Sequence, residues 1–285
     1  HELHTRIGSI QFRLNDAEDN IEFLTPRTEL RQKGYESGEV FCSLGTKVSG
    51  VNHWYTPLAP YNESCSQWVD VRHFYPAGVA PVMMEFNPAT RLYEWVKTGR
   101  LVSLKKGAMI ECFVNKLGDE WIVGARGFRE KDGSGTETIW FKTKNLFSGQ
   151  GLGEPILTPS PGPPHANRSG YVCGDGVLRI IGGDNVRSPF KWARDPQYCW
   201  DVDPNTFALS NCKTVLSSDD IGINSRSTKF RSFLSPVFQN KQMLTITVSR
   251  EIRGRPTGDE LEKFGVHYWY VTYDRDIEEP WRFGP

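Results

Sequence analysis

The sequence predicts an all-β fold, a five-bladed β-propeller of four-stranded antiparallel blades, on three observations. The first is a recurring passage. Met83-Met84-Glu85-Phe86-Asn87-Pro88-Ala89-Thr90-Arg91-Leu92-Tyr93 is echoed by Tyr198-Cys199-Trp200-Asp201-Val202-Asp203-Pro204-Asn205-Thr206-Phe207-Ala208-Leu209, each reading as strand, tight turn, strand. The second is spacing. Trp140-Phe141-Lys142-Thr143-Lys144-Asn145-Leu146 falls between them with the same character, giving steps of 143 − 87 = 56 and 203 − 143 = 60 residues. A repeat of about 57 residues leaves room for about five units in the 285-residue chain. The third is composition: 9 Trp, 16 Phe and 10 Tyr among 27 Gly and 18 Pro favour short strands and many turns over long helices.

Taken in order, Ile7 to Leu14, Ile21 to Leu24 and Glu39 to Leu44 read as strands, and residues 79–107 as the outer half of a blade. Three consecutive units follow. In one, Met109 to Lys116 alternates into a strand, Leu117-Gly118-Asp119 turns, Glu120 to Ala125 returns, and Thr138 to Lys142 and Pro155 to Leu157 add two more. The next has Ser169 to Cys173, a Gly174-Asp175-Gly176 turn, Val177 to Gly182, Gln197 to Val202 and Thr206 to Leu216. The last has Ser232 to Phe238, Met243 to Val248 and Val266 to Tyr273. The chain is thus expected to form one domain, 1–285, with blades near 1–50, 51–107, 108–164, 165–226 and 227–285; the proline-rich run 159–164 is a stiff connection at a blade junction.

Lys+Arg and Asp+Glu both number 34, which argues against a wide basic surface for nucleic acid. The longest apolar runs, such as Val177 to Ile181, are too short to span a bilayer. The six cysteines contain no C-x-x-C pair, so no structural zinc site is predicted, nor is any cofactor; an axial metal ion is left open. Cys199 and Cys212 flank one hairpin, with a disulfide and two buried thiols as the alternatives. Asn62-Glu63-Ser64 and Asn167-Arg168-Ser169 fit the N-glycosylation pattern, which favours a secreted or periplasmic protein over a cytoplasmic one. Oligomeric state is not legible.

Blade topology separates two faces. Both tight turns of a blade lie on one face, and the start of the innermost strand shares the other with the loop after the second strand. That second face gathers the polar residues. Glu111, His165, Asn167, Arg168 and Arg231 stand near innermost-strand starts, while Arg126, Asp184, Asn185, Arg250 and Glu251 lie at or after second strands. Loops on a rigid scaffold commonly carry binding and catalytic groups.

The segment Gly107-Ala108-Met109-Ile110-Glu111-Cys112-Phe113-Val114-Asn115-Lys116-Leu117-Gly118-Asp119-Glu120-Trp121 is similar to the Glu-Cys segment of invertase-like furanosidases, five-bladed propellers related to arabinanases. The resemblance implies Glu111 as acid/base. Arg194-Asp195-Pro196 also matches an invertase-like triplet, but it follows the Glu-Cys segment here and precedes it there, and the Trp-Met-Asn-Asp-Pro start of that family is absent. Thr5-Arg6-Ile7-Gly8 resembles the Arg-Ile-Pro segment of six-bladed sialidases, with Gly8 in place of proline; Arg6, Arg168 and Arg231 would then be a carboxylate-binding triad. Ser218 to Ser225 fits the first half of the sialidase Ser-x-Asp-x-Gly-x-x-Trp box and lacks its Trp.

These residues point to a glycoside hydrolase cleaving an anionic glycan bearing uronate, sialate or sulfate. Glycoside hydrolysis ordinarily uses two carboxyl groups; Glu111 is one candidate, Asp184 or Glu251 the other, and His165 a proton donor. Arg6, Arg126, Arg168, Arg231 and Arg250 are candidates for bidentate anion binding, Asn167 and Asn185 for sugar hydrogen bonds, and Trp54 for stacking on a ring. Salt bridges between blades are the plainer alternative for the charged residues. Two other functions fit the same face: a polysaccharide lyase, in which His165 or a tyrosine abstracts a proton while arginine neutralises a uronate, and a non-catalytic propeller lectin.

Overall fold

The computed structural model describes residues 8–9, 12–14, 21–23, 28–29, 40–41, 48–49, 67–74, 78–87, 89–90, 92–104, 107–128, 136–159, 168–172, 176–183, 195–221, 228–238, 241–250, 267–273 and 280–283, for some of them the backbone alone. All the longer described elements are strands. Near the amino terminus, β1 (Gly8–Ser9) pairs with β4 (Thr28–Glu29) and β2 (Phe12–Leu14) with β3 (Ile21–Phe23), two antiparallel pairs nested one inside the other.

Four antiparallel sheets follow. Sheet I contains β5 (Val40–Phe41), β6 (Val48–Ser49), β7 (Gln67–Phe74), β8 (Gly78–Asn87) and β9 (Leu92–Thr98). Because β8 runs along one edge of β7, β5 and β6 must share the other, like one interrupted first strand. Beyond β9, Val102 exchanges two backbone hydrogen bonds of 2.8 Å with Val79 and extends the outer strand. Strands β8 and β9 thus supply the outer half expected at 79–107, with β7 inside them, while β5 and β6 pair into the same sheet from before residue 51.

Sheet II has the order β10 (Ala108–Leu117), β11 (Glu120–Phe128), β12 (Thr136–Thr143), β13 (Ile156–Pro159). Sheet III repeats it with β14 (Arg168–Val172), β15 (Leu178–Gly183), β16 (Gln197–Val202), β17 (Leu209–Leu216). Sheet IV has β18 (Thr228–Phe238), β19 (Lys241–Arg250), β20 (His267–Tyr273), β21 (Pro280–Phe283). The first strands touch in succession, β10 against sheet I, β14 against β10 and β18 against β14, as in successive propeller blades.

Side-chain alternation explains why the middle strands are so apolar. On sheet II, Met109, Cys112, Val114, Val123, Ala125, Ile139 and Phe141 pack towards sheet I with Val71 and Val79. Phe113, Ile122 and Trp140 pack the other way, against Leu178, Ile180, Trp200, Val202 and Phe207 of the sheet III segment. A strand between two neighbouring sheets buries both faces, so all six residues of β15 are buried. Trp140 anchors this seam: it stacks on Phe207 at 4.8 Å with planes 5° apart, meets Phe113 edge-on at 5.6 Å, and donates its indole N–H to Thr158 Oγ1 at 2.8 Å. Phe113 needs two glycines beside it, since a Cβ on Gly124 or Gly170 would stand 2.1 or 2.5 Å from its ring.

The recurring turns are built alike. Asn87 Oδ1 accepts from the Ala89 and Thr90 backbone N–H groups, Thr143 Oγ1 from Asn145 N–H, and Asp203 Oδ1 from Asn205 and Thr206 N–H. Each side chain mimics a backbone turn at the end of the third strand of its sheet. After Asp203 the turn closes through Phe207 N–H to Asp203 C=O at 2.7 Å, which delays β17 to Leu209 rather than the expected Thr206. The disulfide considered across this hairpin does not form, and both residues are thiols. Cys199 pairs directly with Lys213, so the adjacent Cys212 projects from the opposite face.

Candidate functional site

The register of β10 breaks where the sequence placed its acid. Ala108, Met109 and Ile110 pair with Phe128, Gly127 and Arg126, and pairing resumes at Phe113 with Gly124. Glu111 and Cys112 therefore share the single partner position of Ala125, which is a β-bulge. Packing shows the same insertion: Met109 and Cys112, three apart, belong to the same cluster facing sheet I, where unbroken alternation would send them to opposite faces. Cys112 fixes the bulge from one side by donating its thiol to Val71 C=O at 3.1 Å. The break lies in the fourth and fifth residues of an innermost strand, in the half next to the loop end.

Other sequence candidates take positions around it. Arg126, on β11, sits opposite Ile110 on one side and Thr138 on the other, and both polar side chains are buried, at 7% and 2% exposure. Two residues past Gly124, which faces Phe113, Arg126 lies on the face turned to sheet III. Arg168 opens β14 opposite Gly182, Arg231 is the fourth residue of β18 opposite Thr247, and Arg250 ends β19 opposite Thr228. The backbone thus sets Glu111, Arg168 and Arg231 in the loop-end halves of three successive first strands. Asp184 and Glu251 directly follow the last residues of β15 and β19 but lie outside the described residues, as do Arg6, Trp54, His165, Asn167 and Asn185. Ser49 and Gln67, the strand ends that flank Trp54 in sequence, are at the Asn87-turn end of sheet I.

A buried polar corner went unread in the sequence. Asp195, Gln197, Ser217 and Ser218 are buried where β16 begins and β17 ends. Both carboxylate oxygens of Asp195 accept hydrogen bonds from Ser218, from its N–H at 3.0 Å and from its hydroxyl. Asp220 Oδ2 accepts from Ser217 N–H and hydroxyl at 2.7 and 2.8 Å. The carboxylate of the Arg194-Asp195-Pro196 triplet is therefore turned inward, and the Ser and Asp of the half-matching sialidase box hold this corner together. The Asp220 contact has a local signal, an acid three positions after Ser217 in Ser217-Ser218-Asp219-Asp220; the Asp195 contact has none.

Among the described residues, buried polar side chains are unevenly distributed. Arg126, Thr138, Asp195, Gln197, Ser217 and Ser218 lie towards the loop end of their sheets; Asn115 and Arg179 lie towards the tight-turn end. These last two have clear structural work, Asn115 donating to Gly170 C=O at 2.8 Å and Arg179 Nε to Asp201 Oδ1 at 2.8 Å. The described groups with shifted titration lie away from the loop end: hydrogen bonds from Asn205 and Thr206 N–H lower the Asp203 pKa, and burial raises that of Cys212. Among the described residues no group of three or more His, Cys, Asp or Glu is placed to hold a metal ion.

No known protein-family profile matches the chain. No curated protein matches it in sequence. Solved structures similar to it include the xyloglucan-locus GH43B of Bacteroides ovatus (12% identity, 76% of this chain and 38% of that one, TM-score 0.48). A xylan β-1,4-xylosidase from Bacillus halodurans C-125 (10%, 76% and 40%, TM-score 0.49) is another, as is an endo-arabinase from Bacteroides thetaiotaomicron (8%, 79% and 78%, TM-score 0.47). The chain spans only 38% and 40% of the first two.

Proposed function

We propose that this chain closes into a single five-bladed β-propeller domain and acts as a glycoside hydrolase on an acidic oligosaccharide or polysaccharide, with its site at the loop end. The observation that carries the reading is the bulge at Glu111. Bulges re-aim side chains and are over-represented beside active sites, and this one places an acidic residue out of register in an innermost strand. Three sheets with the same strand order, the first strand of each lying against the sheet before it, support the propeller.

In this reading Glu111 protonates the glycosidic oxygen as the bond to the anomeric carbon breaks. A second carboxylate, Asp184 or Glu251, either attacks that carbon or takes a proton from the attacking water. A separation of about 5–5.5 Å between the carboxyl groups serves the first course and about 6.5–9.5 Å the second. Arg168 and Arg231, with Arg6, Arg126 and Arg250, hold the substrate anion by paired N–H donors; Asn167 and Asn185 contact sugar, and His165 stands in reserve as proton donor, while Trp54, between strand ends at the opposite end of sheet I, has no part in it. Secretion or export to the periplasm fits the two glycosylation-type triplets. Among the described residues, no helix is long and apolar enough to cross a membrane.

The test is product analysis on uronate-bearing glycans. A hydrolase releases reducing ends without new ultraviolet absorbance. An absorbing unsaturated uronate would replace this reading with the lyase, and binding without any product would replace it with the lectin.

A further inference from the structure

One row of residues crosses the whole of sheet II, one rung beyond the Trp140 layer towards the loop end. The positions of Ile110, Arg126, Thr138 and Thr158 are paired in turn across β10 to β13, and so share the face turned to sheet III. Thr158 is fully used: its Oγ1 accepts the Trp140 indole N–H at 2.8 Å and donates to Thr138 C=O at 3.5 Å. Thr138 differs, since its hydroxyl is buried and makes no hydrogen bond. The Arg126 side chain directly opposite is buried too. Facing them on sheet III, one rung beyond Ile180 and Trp200, are half-buried Tyr198 and Gly182, which brings no side chain to hold the seam shut there. A hydroxyl shut away from water without a partner costs stability that a valine of the same shape would not. This one is kept beside a guanidinium, at the end of the sheet where β10 breaks register: Arg126 pairs with Ile110, the last residue before the bulge at Glu111. Two donors side by side on neighbouring strands are satisfied together by one group with two acceptor oxygens, and the guanidinium favours a charged one.

We propose that Thr138 and Arg126 form a carboxylate subsite in the seam between sheets II and III, the Thr138 hydroxyl donating to one oxygen and the Arg126 guanidinium to the other. That the carboxylate belongs to a uronate of the glycan rests on the glycosidase reading; the subsite itself does not.

Sodium D-glucuronate is the probe and glucose its neutral counterpart, with ionic strength matched by sodium chloride. Glucuronate should raise the Tm of the whole chain in a saturable way, as a ligand of the folded state does, and glucose should not. Thr138→Val should melt no lower than wild type without ligand, because it removes an orphaned polar group. It should nonetheless bind glucuronate at least about tenfold more weakly in calorimetry, the scale of a lost hydrogen bond to a charged group. Thr138→Ser, which keeps the hydroxyl, should bind within about threefold of wild type. A Thr138→Val protein that unfolds or melts well below wild type would show that the hydroxyl is partnered in the folded chain, and would overturn the subsite. Glucuronate binding unchanged in that variant, or a wild-type Tm indifferent to glucuronate, would overturn it equally. With glycan substrates, Thr138→Val should lower kcat/KM about tenfold more on glucuronoxylan than on xylan stripped of its uronates. Wild type inert on both, with glucuronate binding lost in Thr138→Val, would keep the subsite and strike the glycosidase reading. Cleavage with the preference for glucuronoxylan intact in the variant would strike the subsite and keep that reading.

Discussion

At the tight-turn end of the sheets, Asn87, Thr143 and Asp203 each bend the chain at the end of a strand with their own side-chain oxygen; at the loop end, β10 carries an extra residue at Glu111 and the interior takes in Arg126, Thr138, Asp195 and Gln197. The first end repeats one local solution three times, at little cost, with exposed partners. The second breaks the ladder and buries polar groups, both of which lower stability unless something else holds them. Repetition marks the part that builds the scaffold. In the proposed reading, departure from it marks where the scaffold is adapted to a task.

Both ends depend on the seam between sheets II and III, so the largest effect should come there. Trp140→Ala removes the stack on Phe207 and the edge contact with Phe113, and should cost about 3–5 kcal/mol in a denaturant titration; a loss under about 1 kcal/mol would mean that the sheets do not depend on each other at this point. At the loop end, Glu111→Gln should keep the thermal transition while lowering turnover at least about a hundredfold. Undiminished turnover in a folded variant would remove Glu111 from the mechanism and turn attention to His165. Arg168→Ala or Arg231→Ala should weaken an acidic ligand by about 1.5–3 kcal/mol in calorimetry and a neutral analogue by less; equal losses would indicate structural damage.

The turn end should answer in stability alone. Asn87→Ala forfeits two hydrogen bonds to backbone N–H groups and should cost about 1 kcal/mol with no change in turnover. Asp203 gives the smallest effect, confined to acid. Because its pKa is lowered from 3.8 in the fold, its contribution is present above that value and is lost as pH falls through the lower, folded value. Tm followed down to about pH 2 should therefore fall more in wild type than in Asp203→Asn, which keeps the accepting oxygen but cannot be protonated. Parallel curves would show that the charge adds nothing to the turn.

The turn end was the more legible in sequence, because its information is local: an Asn, Thr or Asp oxygen reaches a donor two residues on. Strands β10 to β16 were legible for a related reason, since apolar runs bounded by turns announce themselves. Strand β7 was not, although Val69 and Val71 alternate, because Asp70 and Arg72 interrupt the apolar run. The Glu111 bulge is a property of two strands in register and has no signature in either alone. Asp195, between Arg194 and Pro196, has the sequence of an exposed loop; its burial is decided by Ser218, 23 residues away. The cysteine hairpin failed likewise, since which face Cys212 takes depends on Lys213 pairing with Cys199.

The most direct test of the central claim is the crystal structure of the Glu111→Gln variant with a uronate-bearing oligosaccharide that the wild type cleaves. The sugar should lie at the loop end, its glycosidic oxygen within hydrogen-bond reach of residue 111 and its carboxylate against Arg168 or Arg231. An oligosaccharide bound instead at the Asn87, Thr143 or Asp203 turns, or along the exposed outer strands, would contradict the account.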